Sequence, residues 1–210
     1  MRRLRESKAS PVMLDACVLM VGINKQNSDY NYCFENMMRT HLKPLFDYFE
    51  NIKIHEIVFS ELDGARRDFI HEYLDKNVEI VGEANLYGRD PVYTNIFNSI
   101  ASHDLFNYKR GESRNKGDVY SLAYAAHHGI PFFSTRDGSI MRILEEISEL
   151  KEVELIGFEY ILTIAYLYGE RSKDIYTTLK ALYKYACLPA IKYGKIPPTF
   201  SEFLKALQND

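Results

Sequence analysis

Short apolar runs that alternate with segments of helical spacing are the feature that most constrains the fold of this chain. Apolar runs of about four to eight residues between turn-forming residues are typical of buried strands. Strands that alternate with helices favour a parallel sheet with helices on both faces. We therefore predict an α/β fold, a three-layer α/β/α arrangement around a central, mostly parallel sheet. The predicted strands cover residues 11–15, 54–60, 130–135 and 153–157, with a further candidate at 78–81.

The segments between these strands, and the end of the chain, have the apolar spacing of helices. Between the strands, the helical segments are residues 61–76, 117–128 and 139–150. We predict one domain over residues 1–158, followed by a helical extension over residues 159–210 that packs on the domain or mediates oligomerisation. Tyrosines are frequent in this extension, which holds seven of the sixteen in the chain. They could stack on single-stranded bases, but their helical spacing favours packing.

The charge balance and the cysteines exclude several classes of protein. The formal net charge is −3 and the sequence pI is about 6.1, so the chain has no global basic field for binding nucleic acid. A polyanion must therefore be held by a local basic patch or through a metal ion. The three cysteines, Cys17, Cys33 and Cys187, are widely spaced, which argues against a disulfide framework or a structural zinc site.

The sparse cysteines predict a cytoplasmic protein, and the hydropathy pattern predicts that it has no membrane span. No stretch of the sequence reaches the roughly 18 apolar residues that a spanning helix needs. Basic residues before the apolar run at 12–23 resemble the start of a signal peptide. However, Asp15 interrupts that run and no typical cleavage site follows it, so we predict a cytoplasmic location.

Acidic residues stand where three of the predicted strands end. Asp15 ends the first apolar run, Glu61 follows the second, and Asp137 follows the third. In an open parallel sheet, ligands bind outside the carboxyl ends of the strands, so these carboxylates should converge. Asp118 is a fourth candidate, because it shares a helical face with Leu122 that should pack on the sheet.

Taken one at a time, these acids have simpler interpretations as helix caps, first-turn residues or turn residues. As a set they are difficult to explain without a cation. Two carboxylates about 4 Å apart repel each other by ~4 kcal/mol at an effective dielectric constant of about 20. Oxygen ligands select hard divalent ions, so the set predicts a Mg²⁺ or Mn²⁺ site.

Four short motifs follow one another along the chain. They are VMLDACVL at 12–19, IVFSEL at 57–62, KGDVYSLAYA at 116–125 and FFSTRDG at 132–138. In this order they resemble the motifs of the PIN-domain family of metal-dependent ribonucleases, over roughly residues 10–157. The resemblance implies a PIN-like fold with a four-acid site.

The resemblance also implies roles for individual residues. The catalytic and metal-binding residues would be Asp15, Glu61, Asp118 and Asp137, and Thr135 would help to hold the site. Two positions depart from the family pattern. Cys17 stands where the family often has Asn, Ser or Thr, and Lys116 and Gly117 precede Asp118 where a Glu is frequent. Whether the site holds one metal ion or two is therefore left open.

These features lead to the hypothesis of a Mg²⁺/Mn²⁺-dependent endoribonuclease that hydrolyses RNA phosphodiester bonds. Asp15, Asp118 and Asp137 would ligate the metal directly. Glu61 would ligate it, bridge to it through water, or orient the nucleophile. Many proteins of similar pattern are toxins restrained by a small antitoxin, so the resemblance implies such a protein partner as well as RNA.

Basic residues near the predicted crevice are candidates for binding phosphate groups of the RNA. Arg66 and Arg67 follow Glu61 in the sequence. An equally reasonable interpretation of the main basic segment is a solvated loop. The predicted nucleic-acid-binding residues are Lys109, Arg110, Arg114, Lys116 and Arg136.

Two other hypotheses compete with the nuclease. The chain could be a catalytically inactive PIN-like module that binds RNA or a protein partner. It could also be a phosphomonoesterase with Asp15 as nucleophile, although that chemistry usually needs a second Asp where Cys17 stands. We expect His127 and His128, near the end of a predicted helix, to lie at the surface, where the helix dipole stabilises them.

Overall fold

A computed structural model describes residues 8–20, 38–83, 86–112, 114–192 and 194–209. The chain forms two compact units. The first, called here the sheet unit, contains residues 9–20 and 50–156. Of the described residues, the second unit, called here the helical unit, contains residues 8, 38–49, 157–192 and 194–209.

The sheet has five strands and is parallel throughout, which confirms the predicted α/β class and is compatible with three layers. The strand order is β3-β2-β1-β4-β5. At the centre, Val12 of β1 is in register with Ile52 of β2 on one side and Phe132 of β4 on the other. The strands are β1 Val12–Leu14, β2 Ile52–His55, β3 Val78–Val81, β4 Phe132–Thr135 and β5 Glu154–Gly157.

Helices join the strands of the sheet unit. They are α1 Ala16–Leu19, α3 Glu56–Glu61, α4 Gly64–His71, α5 Pro91–Ala101, α6 Lys116–His127 and α7 Ser139–Glu146. Side-chain caps define several of the starts: Asp15 accepts a hydrogen bond from Ala16 N, and Asp63 accepts one from Arg66 N. Such caps satisfy backbone N–H groups that the helix itself leaves unpaired.

The core of the sheet unit fixes helix α6 against the sheet. Met13 and Phe133 come from the two central strands, and Leu122 comes from α6; all three side chains are fully buried. Tyr93 and Phe97 of α5 belong to the same apolar cluster. Because this packing fixes the position of α6, its first turn lies beside the carboxyl ends of β1 and β4.

The second strand differs from its prediction over residues 54–60. Strand β2 ends at His55, and the rest of the apolar run forms helix α3, in which Val58 is buried. The Nδ1 atom of His55 accepts a hydrogen bond from Ile57 N and so starts the helix. Glu61 is therefore the last residue of a helix, not a residue that directly follows a strand. A short apolar run has no periodicity that would separate the two structures.

Two predicted helices are shorter than the sequence pattern indicates. Of the segment predicted as 61–76, Glu61 ends α3 and only Gly64–His71 forms a new helix, because Leu62 is the C-cap of α3 and Asp63 is the N-cap of α4. The segment predicted as 139–150 ends at Glu146 and continues as a 3₁₀ turn over Ser148–Leu150.

The helical unit contains the end of the chain and a segment from its first quarter. A π-helical turn, Met38–Leu42, leads into α2 Lys43–Tyr48, and the chain end forms α8 Phe158–Tyr168, α9 Lys173–Lys192 and α10 Phe200–Asn209. Tyr183 stacks on Phe203 at 4.5 Å between ring centroids, and Tyr160 meets the same ring at 5.0 Å. Of the seven predicted packing tyrosines, Tyr193 and the side chain of Tyr185 lie outside the described residues.

The two neighbouring histidines have different environments. His128 is exposed and stacks on Tyr124 at 4.0 Å, as expected for a surface residue. The side chain of His127 is only 16% exposed, and its Nε2 atom lies 2.9 Å from Oδ2 of Asp90. Asp90 also caps α5 by accepting from Val92 N, so His127 links two helices and the predicted surface position was wrong for it.

Two of the three cysteines lie in the described part of the chain. Cys17 and Cys187 are free thiols, whereas Cys33 and the basic residues before Lys8 lie outside the described residues. Within the described ranges, no helix is long and apolar enough to cross a membrane.

We predict that acid destabilises the protein through His55. Burial lowers the pKa of this histidine from 6.5 to about 4, and the positive charge of Lys116 adds to the effect. The folded state therefore binds a proton less readily than the unfolded state. The stability that comes from neutral His55 is complete above pH 6.5 and falls as the pH drops towards 4, by up to about 3 kcal/mol.

Urea unfolding at several pH values between 4 and 7 measures this effect. In a His55→Asn variant, which keeps an acceptor for the helix cap, the dependence of unfolding free energy on pH should be weaker. A His71→Asn variant changes an exposed histidine and serves as the control. Equal pH dependence in all three proteins would contradict the prediction.

Candidate active site

Four carboxylates from distant parts of the chain line one cleft in the sheet unit. The cleft has a volume of about 660 Å³ and lies at the carboxyl ends of the central strands. Its acidic residues are Asp15, Glu61, Asp118 and Asp137. We call this site the acidic cleft.

Each acid reaches the cleft from a different element. Asp15 follows β1 and caps α1, whereas Asp137 lies two residues beyond β4. Glu61 ends α3, and Asp118 lies in the first turn of α6. The four acids differ in burial. Asp15 is only 6% exposed, Asp118 is half-buried, and Glu61 and Asp137 are exposed.

The hydroxyl group of Thr135 connects two of these acids. It donates a hydrogen bond to Oδ2 of Asp15 at 2.8 Å and accepts one from Asp137 N at 3.0 Å. The other carboxylate oxygen of Asp15 accepts from Ala16 N at 2.6 Å. Both oxygens of the buried carboxylate therefore have fixed partners, as burial of a charged group requires.

Cys17 extends this network towards the loop after β4. Its Sγ atom lies 3.1 Å from Oγ1 of Thr135 and accepts a hydrogen bond from Arg136 N at 2.9 Å. Because the only proton of the Thr135 hydroxyl goes to Asp15, the thiol donates to Thr135. Burial and the neighbouring charge of Asp15 raise the pKa of Cys17, which favours the protonated thiol over the nucleophilic thiolate.

The charges of the acidic cleft repel each other. Burial raises the pKa of Asp118 to about 8, and the charges of Asp15, Asp137 and Glu61 contribute in that order. The pKa of Glu61 is also raised by burial and by Asp15, and the nearby ammonium group of Lys116 partly offsets the increase. The neighbouring charges that raise the pKa of Asp118 are all negative, so a cation would stabilise its ionised form.

Gly117 allows Glu61 to approach the start of helix α6. A Cβ atom at position 117 would lie 3.2 Å from Oε1 of Glu61 and 3.2 Å from Cγ2 of Val58. Both distances are shorter than ordinary van der Waals contact, so the side chains of Glu61 and Val58 would have to shift by a few tenths of an ångström to admit a larger residue. The glycine before Asp118 thus helps to bring the carboxylates of Glu61 and Asp118 into one cleft.

The chemistry of the donors fits a hard divalent ion, because all four acids offer carboxylate oxygens and their charges are mutually repulsive. Their positions do not yet form a coordination sphere. Within the described residues, no three His, Cys, Asp or Glu side chains are placed so that they could hold one metal ion. The carboxylates share a cleft, and the exposed side chains of Glu61 and Asp137 would have to turn towards an ion.

Two of the five basic residues predicted to bind nucleic acid line the acidic cleft: Lys116 and Arg136. Lys109, Arg110 and Arg114 do not line it. The guanidinium group of Arg110 lies over the ring of Tyr87, 4.2 Å from its centroid, and 3.9 Å from a carboxylate oxygen of Glu83. For these three residues, binding to nucleic acid stays a prediction.

Arg66 has a structural position in place of the expected contact with phosphate. Its side chain is only 2% exposed, forms an ion pair with Asp63, and donates from Nε to the backbone carbonyl of Leu19 at 3.1 Å. Leu19 is the last residue of α1, so Arg66 holds the helix that Asp15 caps. Arg67 is exposed and does not line the cleft.

Glu83 is an acid at the same edge of the sheet that the sequence analysis did not select. It lies two residues beyond β3, and Tyr93 donates its hydroxyl proton to Glu83 at 3.1 Å. Burial raises the pKa of Glu83, and the hydrogen bond from Tyr93 partly offsets the increase. The available signal was its position after a candidate strand, the same signal that selected Asp15 and Asp137.

Comparisons with models of known families, with curated proteins and with solved structures found no match to this chain. The functional interpretation therefore depends on the chemistry of the acidic cleft.

We predict that Thr135→Val destabilises the protein by about 1–3 kcal/mol, because the buried carboxylate of Asp15 loses a donor and Asp137 N loses an acceptor. Thr135→Ser keeps the hydroxyl group and is the matched control. Urea unfolding at neutral pH measures both variants. A Val variant as stable as the Ser variant would show that the hydroxyl group does not hold the acids together.

Proposed function

We propose that the acidic cleft is the active site of a Mg²⁺/Mn²⁺-dependent endoribonuclease with a PIN-like domain. The observation that supports this proposal most is the convergence of four carboxylates from four elements, with the pKa of Asp118 raised to about 8 by burial and by the other three acids. Such charge crowding favours a divalent cation. The four motifs that resemble the PIN-domain family supply the choice of RNA as substrate.

Hydrolysis of a phosphodiester needs an activated water, a stabilised phosphorus centre and a neutralised leaving oxygen. A bound divalent ion supplies an acidified water and neutralises phosphate charge. Asp15, Asp118 and Asp137 would hold the ion, and Thr135 keeps the carboxylate of Asp15 in one orientation. Glu61 is exposed at the end of α3, where it can orient a water or ligate the ion.

The substrate would meet positive charge from two residues of the acidic cleft. Lys116 and Arg136 line it together with the acids, and each can form a charge-assisted hydrogen bond with a phosphate oxygen. The chain as a whole does not provide a basic field, since its formal net charge is −3. Binding of RNA should therefore be local to the cleft.

We further propose that the protein is a cytoplasmic toxin restrained by an antitoxin. This part of the proposal depends on the resemblance to the PIN-domain family alone.

A second candidate is a catalytically inactive PIN-like module that binds RNA or a protein partner. One observation favours it: no three potential ligands among the described residues are placed to hold a metal ion. In that case Lys116 and Arg136 would serve as permanent counter-charges for the acids.

We predict that Asp15→Asn and Asp118→Asn each reduce cleavage by at least about a hundredfold, because each removes a charged ligand of the ion. The assay is cleavage of a fluorescent single-stranded RNA with Mg²⁺ or Mn²⁺, and with EDTA as a blank. Glu152→Gln changes an exposed acid outside the cleft and is the control. Circular dichroism confirms that the variants fold.

Two results would oppose the nuclease in different ways. Unchanged cleavage by the purified Asp118→Asn variant would show that the activity comes from elsewhere. RNA binding without any cleavage or Mn²⁺ binding by the unmodified protein would favour the inactive module.

A further inference from the structure

Arg110 is a cation outside the acidic cleft whose side chain has a defined position. The Cζ atom of its guanidinium group lies 4.2 Å from the centroid of the Tyr87 ring, and the group lies 3.9 Å from a carboxylate oxygen of Glu83. The side chain is nevertheless 57% exposed. A guanidinium group is planar and stacks on aromatic faces. Because the Tyr87 ring covers one face of this plane, the exposed part includes the opposite face. We call Arg110 and Tyr87 the Arg110 stack.

The partners of Arg110 are themselves held by other side chains. The hydroxyl group of Tyr87 lies 3.2 Å from Oδ1 of Asn98 and donates a hydrogen bond to it. The hydroxyl group of Tyr93 donates one to Glu83 at 3.1 Å. A side chain that is already held in place loses less conformational entropy when a ligand binds to it. The Arg110 stack is therefore a prepared surface, unlike the side chain of a solvated loop.

A row of aromatic rings connects the Arg110 stack with the acidic cleft. The ring of Phe97 lies 4.9 Å from that of Tyr87 and 4.9 Å from that of Tyr120, between centroids. The Nζ atom of Lys116, which lines the cleft, lies 5.9 Å from the centroid of the Tyr120 ring. Arg110 and Lys116 therefore lie near the two ends of one short row, and a single RNA strand that enters the cleft can extend to the Arg110 stack.

The open face of a planar cation suits an unpaired base. In single-stranded RNA, bases that are splayed out stack on aromatic rings and on guanidinium planes. A base inside a duplex is stacked between its neighbours and has to be taken out of the stack first, at a cost in free energy. A contact with phosphate alone would need the charge of Arg110 but not its plane.

We propose that the Arg110 stack binds one unpaired base of an RNA strand that enters the acidic cleft, so that the protein selects single-stranded RNA over duplex RNA. The proposal rests on the proposed RNA-cleaving function. It deepens that function by assigning a site for a base and the class of RNA that fits it.

The test is the binding of a fluorescent single-stranded RNA, and of the same strand in a duplex, measured by fluorescence anisotropy with Mg²⁺. Asp118→Asn serves as the parent protein, in which the strand should stay intact. Adding Arg110→Lys keeps the charge but removes the plane, and should weaken binding of the single strand at least about fivefold. Binding of the duplex should change little, because the duplex offers no unpaired base.

Arg142→Lys in the same parent is the matched control. Arg142 is 59% exposed and forms an ion pair with Glu146, as Arg110 does with Glu83. Within the described residues, no aromatic ring lies under its guanidinium group. This variant should bind both RNAs as the parent does. Circular dichroism of each variant confirms the fold before titration.

The results distinguish this proposal from the function on which it rests. If Arg110→Lys binds the single strand as well as the parent does, or loses the same affinity for both RNAs, the base site is overturned and metal-dependent cleavage is unaffected. Loss of single-strand binding in Arg110→Lys alone, in a protein that cleaves no RNA, would support the base site and oppose the nuclease. No binding of either RNA by any of the proteins would overturn both.

Discussion

Repulsion among like charges is the constraint that the rest of this structure has to oppose. Four carboxylates line the acidic cleft, and burial together with the other three acids raises the pKa of Asp118 to about 8. Groups that repel each other stay close only when rigid elements hold them. Here the rigidity comes from the parallel sheet and its core, where Met13 and Phe133 of the two central strands are fully buried.

Hydrogen bonds then fix the orientation of the acids that the sheet brings together. One hydroxyl group, that of Thr135, serves Asp15 and the backbone of Asp137, and Cys17 joins the same group to the backbone of Arg136. Arg66 also fixes α1, because its Nε atom donates a hydrogen bond to the backbone carbonyl of Leu19, the last residue of that helix. The most buried acid thus has the most fixed surroundings, whereas Glu61 at the rim retains freedom to turn. That difference suits a site in which one acid is a fixed ligand and another adapts to what binds.

The sequence predicted which helices and strands are present better than where each one ends. It also predicted which acids line the cleft better than which basic residues do. Asp15 and Asp137 were found because a short apolar run before each acid has the pattern of a strand. Glu61 reaches the cleft from a helix, because an apolar run such as residues 57–59 suits both structures. Lys116 lines the cleft but Arg110 does not, since Tyr87 and Glu83 hold that guanidinium group. These partners are set by tertiary packing and leave no local signal.

The link between Asp15 and Thr135 joins residues that are 120 positions apart, and the link between Cys17 and Arg136 spans 119. Closing such long loops costs conformational entropy and delays folding. No short segment of the chain contains both halves of the cleft. A polypeptide still on the ribosome, whose synthesis has not reached β4, therefore lacks this arrangement of acids. The cleft can therefore form only after β4 and the loop that follows it have been synthesised.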